Sequence, residues 1–380
     1  MNLDDNGKFK HSFSNATGRW AAVGPYYAMF PLEFAFDIVN EYSEPGQLVL
    51  DPFAGRASSV FAAATQERYG LGIEINPLGW VYAKTKLQPA TQGNVERRLK
   101  SLVDMSEACV QEPMELPEFF RMCYSEKVLN FLITARKELK WKSRKVDRTL
   151  MGLLLIHLHG KLGEGLSNQM RQTKAMGPNY SIDWWRKKNL ITPPEIPIKE
   201  FLLGKIRRRY SKGIPNVTKQ SEVKLGDSTQ ILPKIAKRIA SGKQIPCSLL
   251  FTSPPYQGVT GYHNDQWLRL WLLGGASKPE YGESEYTGKF SSKELYSELL
   301  EKVFKSASQI MGEDSTIYIR TSKREFTFDT TLEILQKHFP PPSWEKPLII
   351  EQPYTGRTQT HLFGDEKKKP GERDIIIRKK

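Results

Sequence analysis

Apolar positions along the chain fall into short unbroken runs that alternate with stretches of helical spacing. Leu48-Val49-Leu50 is one such run, followed by Asp51-Pro52-Phe53-Ala54-Gly55 and a small-residue helix from Ser58 to Gln66. A second run, Tyr69 to Ile73, ends at the acid Glu74, and Asn76-Pro77 opens another helix. Strand, turn, helix and strand at this spacing predict the start of a parallel α/β sheet. Upstream, Pro31 to Tyr42 sets Phe34, Ile38 and Tyr42 at helical spacing, with Ala35 and Val39 alongside. The alternation resumes late in the chain. A strand at Val223 to Leu225 ends in Gly226-Asp227-Ser228, and a helix follows to about Ala240. A strand at Cys247 to Phe251 runs into Thr252-Ser253-Pro254-Pro255-Tyr256. Next come an apolar helix (Gln266 to Leu273), a Gly/Ser-rich loop (Gly274 to Ser292), a helix (Leu295 to Ile310) and a strand (Ser315 to Ile319). Leu348 to Glu351 and Ile375 to Ile377 suit an antiparallel pair at one sheet edge.

The middle of the chain lacks this alternation. Residues 95–160 read as mostly helical, with a buried segment from Leu150 to Leu158. Ser167 to Gln220 is polar, basic and punctuated by Pro178, Pro193, Pro194, Pro197 and Pro215, which predicts an irregular or small mixed module. The charge follows the same division. The net charge is +14, and residues 84–220 hold 27 Lys+Arg against 13 Asp+Glu, while the rest carries 29 of each sign. A basic excess confined to one segment favours a polyanion partner, because neutralising phosphates releases condensed counterions. The expected organisation is a domain of residues 1–83 and 221–380 with a basic insertion at 84–220.

Composition narrows the class. The 380 residues, 39% of them hydrophobic and 26% charged, suffice for one large domain with an insertion or for two domains. No apolar run reaches bilayer length, and Met1 to Lys10 is polar, so neither membrane nor secretion is expected. Three cysteines (Cys109, Cys123 and Cys247) without Cys-x-x-Cys spacing argue against a disulfide framework or a metal site and fit a reducing cytosol. Asn15-Ala16-Thr17 then matches a glycosylation acceptor only by chance.

The candidate chemistry sits where strands end. In a doubly wound sheet, ligands bind at the carboxyl ends of the strands, where a glycine such as Gly55 lets backbone approach closely. Glu74, 23 residues after Asp51, can accept both hydroxyls of a ribose, and Asp227 can accept from an adenine amine. Each acid alone is commonly a cap or turn residue; three in register form a constellation. In the 252–256 loop, Pro254 and Pro255 fix φ and remove two donors. Ser253 Oγ and the Pro254 carbonyl can together accept both hydrogens of an exocyclic base amine, freeing its lone pair to attack a methyl sulfonium. Tyr256 can stack on a base taken out of the helix.

These residues resemble the DNA amino-methyltransferases, the N4-cytosine and N6-adenine group often found in restriction–modification systems. The resemblance covers roughly residues 20–85 and 221–380. It implies a Rossmann-like α/β sheet dependent on S-adenosylmethionine, with residues 84–220 as an inserted, mainly helical target-recognition region. It implies cofactor contacts from Asp51, Pro52, Phe53, Ala54 and Gly55, from Glu74 with Ile75, and from Asp227 with Ser228. Within Gly24 to Pro31, it assigns Tyr26, Phe30 and Pro31 to the methionine end of the cofactor. It makes Ser253, Pro254, Pro255 and Tyr256 the catalytic motif. The serine resembles the N4-cytosine enzymes more than the N6-adenine ones, which more often carry Asp or Asn. The partners implied are double-stranded DNA and a cognate restriction endonuclease, in the cytoplasm of a bacterium or archaeon.

The chain departs from the pattern in places. The family usually has a second glycine where this chain has Ala57, and Arg56 is bulky for the loop; a small backbone shift is expected. The Gly226-Asp227-Ser228 element follows the insertion instead of preceding it. An N6-adenine enzyme, an RNA guanine-N2 methyltransferase and an inactive DNA-binding module remain alternatives. The RNA enzymes usually carry Asp before the two prolines and an RNA-binding domain at the N-terminus, whereas about twenty residues precede the Gly24 segment here. Candidate DNA contacts are Arg171, Lys174, Trp184, Trp185, Arg186, Arg207, Arg208 and Arg209, where cations alternate with aromatics. Arg320, Lys323 and Arg324 suit either phosphates or ordinary surface. His157 and His159 read as packed or hydrogen-bonded, Cys247 as core, and Arg357 to Thr360 carries no assignment.

Overall fold

The computed structural model describes residues 15–24, 30, 32–108, 116–257, 265–279, 292–351 and 371–380. Among the described residues seven strands, β1 (Leu48–Asp51), β2 (Tyr69–Glu74), β3 (Glu222–Leu225), β4 (Cys247–Thr252), β5 (Met311–Ser322), β6 (Leu348–Glu351) and β7 (Glu372–Arg378), form one sheet. Their order is β3-β2-β1-β4-β5-β7-β6. The first five pair in parallel, and β7 runs antiparallel to both β5 and β6, as the late apolar runs predict. The order reverses between β1 and β4, and a crevice opens at such a switch point beyond the strands' carboxyl ends.

The sheet is covered on both faces, which is why β1 is buried at every position. One face carries Val49, Val223, Leu249, Phe251, Tyr318 and Ile376 into a cluster shared with the helices α1 (Ala16–Ala21), α2 (Leu32–Tyr42), α3 (Ser58–Thr65), α4 (Pro77–Leu87) and α5 (Gln92–Ala108). The same cluster takes in α6 (Glu118–Cys123), α7 (Glu126–Glu138), α8 (Lys145–His157), α9 (Pro178–Lys187) and α10 (Ile198–Tyr210). The alternate residues of the sheet, among them Leu48, Leu50, Leu71, Ile73, Leu250 and Ile375, pack against α11 (Ser228–Ala240), α13 (Lys293–Ser308) and α14 (Glu325–His338). A short helix, α12 (Trp267–Leu272), joins the first face. Period-two alternation thus sorts each strand between two cores.

Helix α3 lies unusually close to β2. A Cβ at Gly70 would stand 2.5 Å from the Val60 carbonyl oxygen, and one at Gly72 would stand 2.9 Å from both Ala54 Cβ and a Val60 methyl. Two glycines on one face of a strand therefore let the helix and the preceding loop sit directly on the sheet.

The basic segment enters as the crossover from β2 to β3. Its expected boundary between residues 83 and 84 falls inside α4, and its apolar side chains belong to the same core cluster as the sheet face. Ser167 to Gln220 is also more regular than its prolines suggest, because Pro178 is the first residue of α9 and Pro197 immediately precedes α10. Proline is tolerated there, where the backbone N–H has no intrahelical partner. The run ending at Tyr210 is therefore helical. Helix α14 has no counterpart among the sequence expectations. Its Phe and Thr residues are weak helix formers, yet Thr327, Phe328, Thr331, Ile334 and Leu335 bury one face, so packing overrides propensity. No described helix is long and apolar enough to cross a membrane.

Candidate active site

Four strand ends converge on the switch point. Asp51 closes β1 and is buried at 2% exposure. Its carboxylate accepts from the Phe53 N–H at 3.0 Å, from Thr252 Oγ1 at 2.5 Å and from the Ser59 hydroxyl. Burial pushes this acid up to about 6, with the Ser59, Thr252 and Phe53 bonds holding it back. Asp51 thus braces the loops after β1 and β4 from beneath.

Glu74 closes β2 at 7% exposure. One carboxylate oxygen accepts the Gly55 N–H at 2.6 Å and the other the Asn76 N–H at 2.7 Å. Burial drives this acid up to about 8, opposed by those two backbone bonds and assisted by the charge of Asp51. Asp227 caps α11 by accepting the Thr229 N–H at 2.9 Å, and the Gly226 N–H reaches the Glu74 carbonyl at 2.9 Å. Buried Ser228 donates its hydroxyl to the Pro52 carbonyl, which locks the start of α11 onto the β1 loop. Pro52 and Ala54 are buried, while Phe53, Gly55 and Ile75 are partly exposed.

The residues fit S-adenosylmethionine. A carboxylate offers about four lone-pair positions, so Glu74, with two taken by Gly55 and Asn76, retains two for the vicinal hydroxyls of a ribose. Gly55 adopts φ +54°, and a Cβ on Gly79 would stand 2.7 Å from the Gly55 carbonyl oxygen, so the loop is seated close on α4. Ala57, at the start of α3, offers no side-chain cap, leaving the helix's first N–H groups for an anionic group such as the methionyl carboxylate. Ala57 holds φ 60°, ψ 51°, the left-handed conformation that glycine adopts freely. Arg56 turns inward and donates to the Gly24 carbonyl at 3.2 Å.

On the β4 side, Ser253 is half-buried, and its hydroxyl lies 3.1 Å from that of Tyr256. Pro254 is buried, with Pro255 and Tyr256 partly exposed. The Tyr256 hydroxyl also donates to Glu372 at 3.1 Å. Phe30 stacks on Phe251 with centroids 4.7 Å apart, placing the end of the Gly24 segment against β4; Tyr26 and Pro31 lie outside the described residues.

Several anticipated contacts turn out to be structural. Trp185 is fully enclosed, with its indole N–H on the Gln169 carbonyl at 2.7 Å, so its ring is not open to a base. Arg209 is partly buried and donates to the Arg19 carbonyl, and burial, with Arg19 and Arg208 nearby, lowers its guanidinium to about 10. Arg320 is buried in a two-pronged pair with Asp374 at 2.7 and 2.8 Å and is no phosphate contact. Lys323 pairs with Glu351 at 2.9 Å. Exposed Arg171, Arg186, Arg207 and Arg208 face solvent, with Arg186 also pairing with Glu118 at 2.7 Å and Arg207 with Glu96 at 3.6 Å. Trp184 and Lys174 are partly exposed, Lys174 lying 3.6 Å from Asp265. His159 bonds the Arg171 carbonyl at 2.8 Å, and His157 is packed near Phe201. Cys247 is buried with its thiol pushed up to about 12, too high for a nucleophile. Cys109 and Arg357 to Thr360 lie outside the described residues.

Three organising contacts escaped sequence reasoning. The tie of Thr252, in the motif loop, to Asp51 and that of Glu372 to Tyr256 carry no local signal, since the partners are 201 and 116 residues apart. Arg269, fully buried, ties α12 to the basic segment through the Gln172 carbonyl at 2.5 Å and the Leu155 carbonyl at 2.9 Å. Together with bonds from Gln266 to Thr173 at 2.8 Å and from Ala175 to Asp265 at 3.0 Å, it seats residues 172–175 beside the helix that follows the catalytic loop.

The family model described as DNA methylase, for N6 and N4 methylation, matches residues 5–78. No curated protein matches the chain. Similar solved structures include the rRNA methyltransferase AviRa from Streptomyces viridochromogenes, at 9% identity, TM-score 0.33, and coverage of 95% of this chain and 90% of that one. TrmN from Thermus thermophilus is another, at 9% identity and TM-score 0.34, covering 96% of this chain and 52% of that one. Likenesses this distant say nothing about substrate. The sheet order, the strand-end acids and the family match make the chain an S-adenosylmethionine-dependent methyltransferase that carries the DNA amino-methylase signature over residues 5–78.

Proposed function

We propose that the chain methylates N4 of a cytosine extruded from double-stranded DNA, as the modification partner of a restriction endonuclease that reads the same site. The observation that carries this is the placement of Ser253. It directly follows β4, whose last residue Thr252 is bonded to Asp51 in the cofactor loop, so a hydroxyl acceptor stands at the crevice beside the cofactor's place. S-adenosylmethionine, when bound, supplies an electrophilic methyl group on a sulfonium.

The chain's own groups do the rest. Ser253 Oγ and the Pro254 carbonyl accept the two amine hydrogens, which draws the nitrogen out of conjugation with the ring and exposes its lone pair. Tyr256 offers a face to the extruded base. Glu74 and the α3 start orient the cofactor. The exposed cations of the β2–β3 crossover, chiefly Arg171, Lys174, Arg186, Arg207 and Arg208, track phosphates, with Trp184 beside them. Seating of residues 172–175 against α12, the helix that follows the catalytic loop, supports this reading.

A second reading is N6 of adenine, because the matching family model spans both N6 and N4 methylases. The decisive experiment incubates the protein with unmethylated DNA and S-adenosylmethionine, then digests to nucleosides for mass spectrometry. N4-methylcytosine is expected. N6-methyladenine overturns the choice of base, and 5-methylcytosine overturns the amine mechanism.

A further inference from the structure

A chain of polar contacts runs from the catalytic loop after β4 to the start of β7, two strands away along the same edge of the sheet. A carboxylate only accepts, so the single proton of the Tyr256 hydroxyl points to Glu372 Oε1 at 3.1 Å. The Tyr256 oxygen is then left to accept, and the Ser253 O–H, 3.1 Å away, must donate to it. This fixes the rotor of Ser253. Its lone pairs, not its proton, face the substrate amine, which is the polarity that amine activation requires.

Glu372 is itself held in place. It opens β7 opposite Ser322, and alternation puts it on the sheet face that also carries Asp374 and Ile376. Arg320 Nε stands 3.8 Å from Glu372 Oε2 and is immobilised by Asp374 and by the Phe34 ring, 3.5 Å from its guanidinium carbon. The Glu372 side chain remains 40% exposed, so it is open to water on one side.

We infer that Glu372 is a positioning residue that orients Ser253 through Tyr256 and takes up the proton released by methylation. The inference rests on the amine-methyltransferase reading above. As the amine lone pair forms the new N–C bond, the sulfonium C–S bond breaks and its electron pair leaves on sulfur, which becomes a neutral thioether. The nitrogen is left with a positive charge and one proton too many. That proton passes to Ser253 Oγ as the Ser253 proton moves to Tyr256 and the Tyr256 proton to Glu372. The amine becomes neutral, both hydroxyls are restored, and the carboxylate becomes a carboxylic acid that returns the proton to water. The exocyclic amine of a nucleobase is an amidine-type nitrogen whose lone pair is delocalised into the ring, so its N-protonated form is far more acidic than a carboxylic acid and the transfer runs downhill.

The test uses the full chain with Glu372→Gln, Glu372→Ala, Tyr256→Phe and the Glu372→Gln/Tyr256→Phe double variant. Circular dichroism and calorimetric S-adenosylmethionine binding serve as readouts independent of turnover. Glu372→Gln is expected to lower kcat about 10²-fold, the scale of a lost proton acceptor, with KM for DNA and cofactor affinity essentially unchanged. The double variant should be no slower than the slower single variant, because both break one relay. Added formate should restore turnover in Glu372→Ala and not in Ser253→Ala. Wild-type kcat in Glu372→Gln, or losses that multiply in the double variant, overturn the relay while leaving the amine-methylation reading intact. A wild-type protein that methylates no base amine overturns both.

Discussion

Thr252 donates its hydroxyl to the buried carboxylate of Asp51 over 2.5 Å, joining the ends of β1 and β4 where the strand order reverses. One residue belongs to the cofactor loop and the other adjoins the catalytic loop. Thr252→Val keeps the shape and removes the donor. It should lower stability by about 1–3 kcal/mol, since a charged acceptor loses one of three partners. A urea midpoint unchanged from wild type would show that Phe53 and Ser59 hold Asp51 without help.

Ser253→Ala removes the hydroxyl acceptor together with its bond to Tyr256. Turnover should fall by about 10²-fold or more, the scale of one lost preorganised partner, with DNA affinity nearly unchanged. Gel-shift and single-turnover assays on one preparation separate the two. Equal loss of both would place Ser253 in binding and not in activation.

The buried acids make cofactor binding depend on pH. Glu74 is raised to about 8 from an ordinary 4.5, and Asp51 to about 6 from 3.8. The folded protein without ligand therefore retains protons that the unfolded chain has released. Their stabilisation is complete below about pH 4 and is lost as pH rises through 6 and then 8. A ribose donating to Glu74 favours its charged form, so binding below pH 8 expels a proton. Affinity should climb toward pH 8 by up to about tenfold per unit and then level off. Calorimetry in buffers of different ionisation enthalpy reads the proton directly, and Glu74→Gln should flatten the profile. A flat wild-type profile would remove Glu74 from the cofactor site.

Ala57→Gly tests the left-handed position at the start of α3. Relief of left-handed strain contributes about 1–2 kcal/mol in favour of the variant. Loss of a fully buried methyl costs about 0.8 kcal/mol, and the freer unfolded chain costs about 0.4–1 kcal/mol more. The net change should lie within about 1 kcal/mol of zero, whereas Ala57→Val should destabilise by several times that because a β-branched residue resists positive φ. Thermal melts of the three proteins give the order.

The three arginines of α10 should behave differently. Arg207→Glu and Arg208→Glu are each expected to weaken DNA binding and lower its salt slope by about one, without a change in stability. Arg209→Glu should instead lower the melting temperature, because its guanidinium holds the Arg19 carbonyl. A salt slope unchanged by the first two would remove the end of α10 from the interface.

The elements with strong local signals were legible in advance. Unbroken apolar runs gave away β1, β2 and β4, and late runs the antiparallel pair β6 and β7. Helices α9, α10 and α14 were obscured for local reasons. Prolines at helix starts look like breakers, and Thr and Phe in α14 mask a helix that packing enforces. The alternation of cations and aromatics likewise favoured DNA contact for Trp185 and Arg209, although both turn inward.

By itself, the sequence determined which residues end strands, where basic charge concentrates and which loop presents a serine before two prolines. These are properties of neighbours along the chain, written in periodicity and in residue type. Tertiary structure alone decided that Thr252 meets Asp51, that Tyr256 meets Glu372, and that Arg320 is committed to Asp374 instead of to a phosphate. Each of those bonds spans more than fifty residues, and its formation depends on strand order and register. Side-chain partners separated that far are chosen by the sheet, because a hydrogen bond requires its atoms within about 3 Å and no local pattern sets that distance.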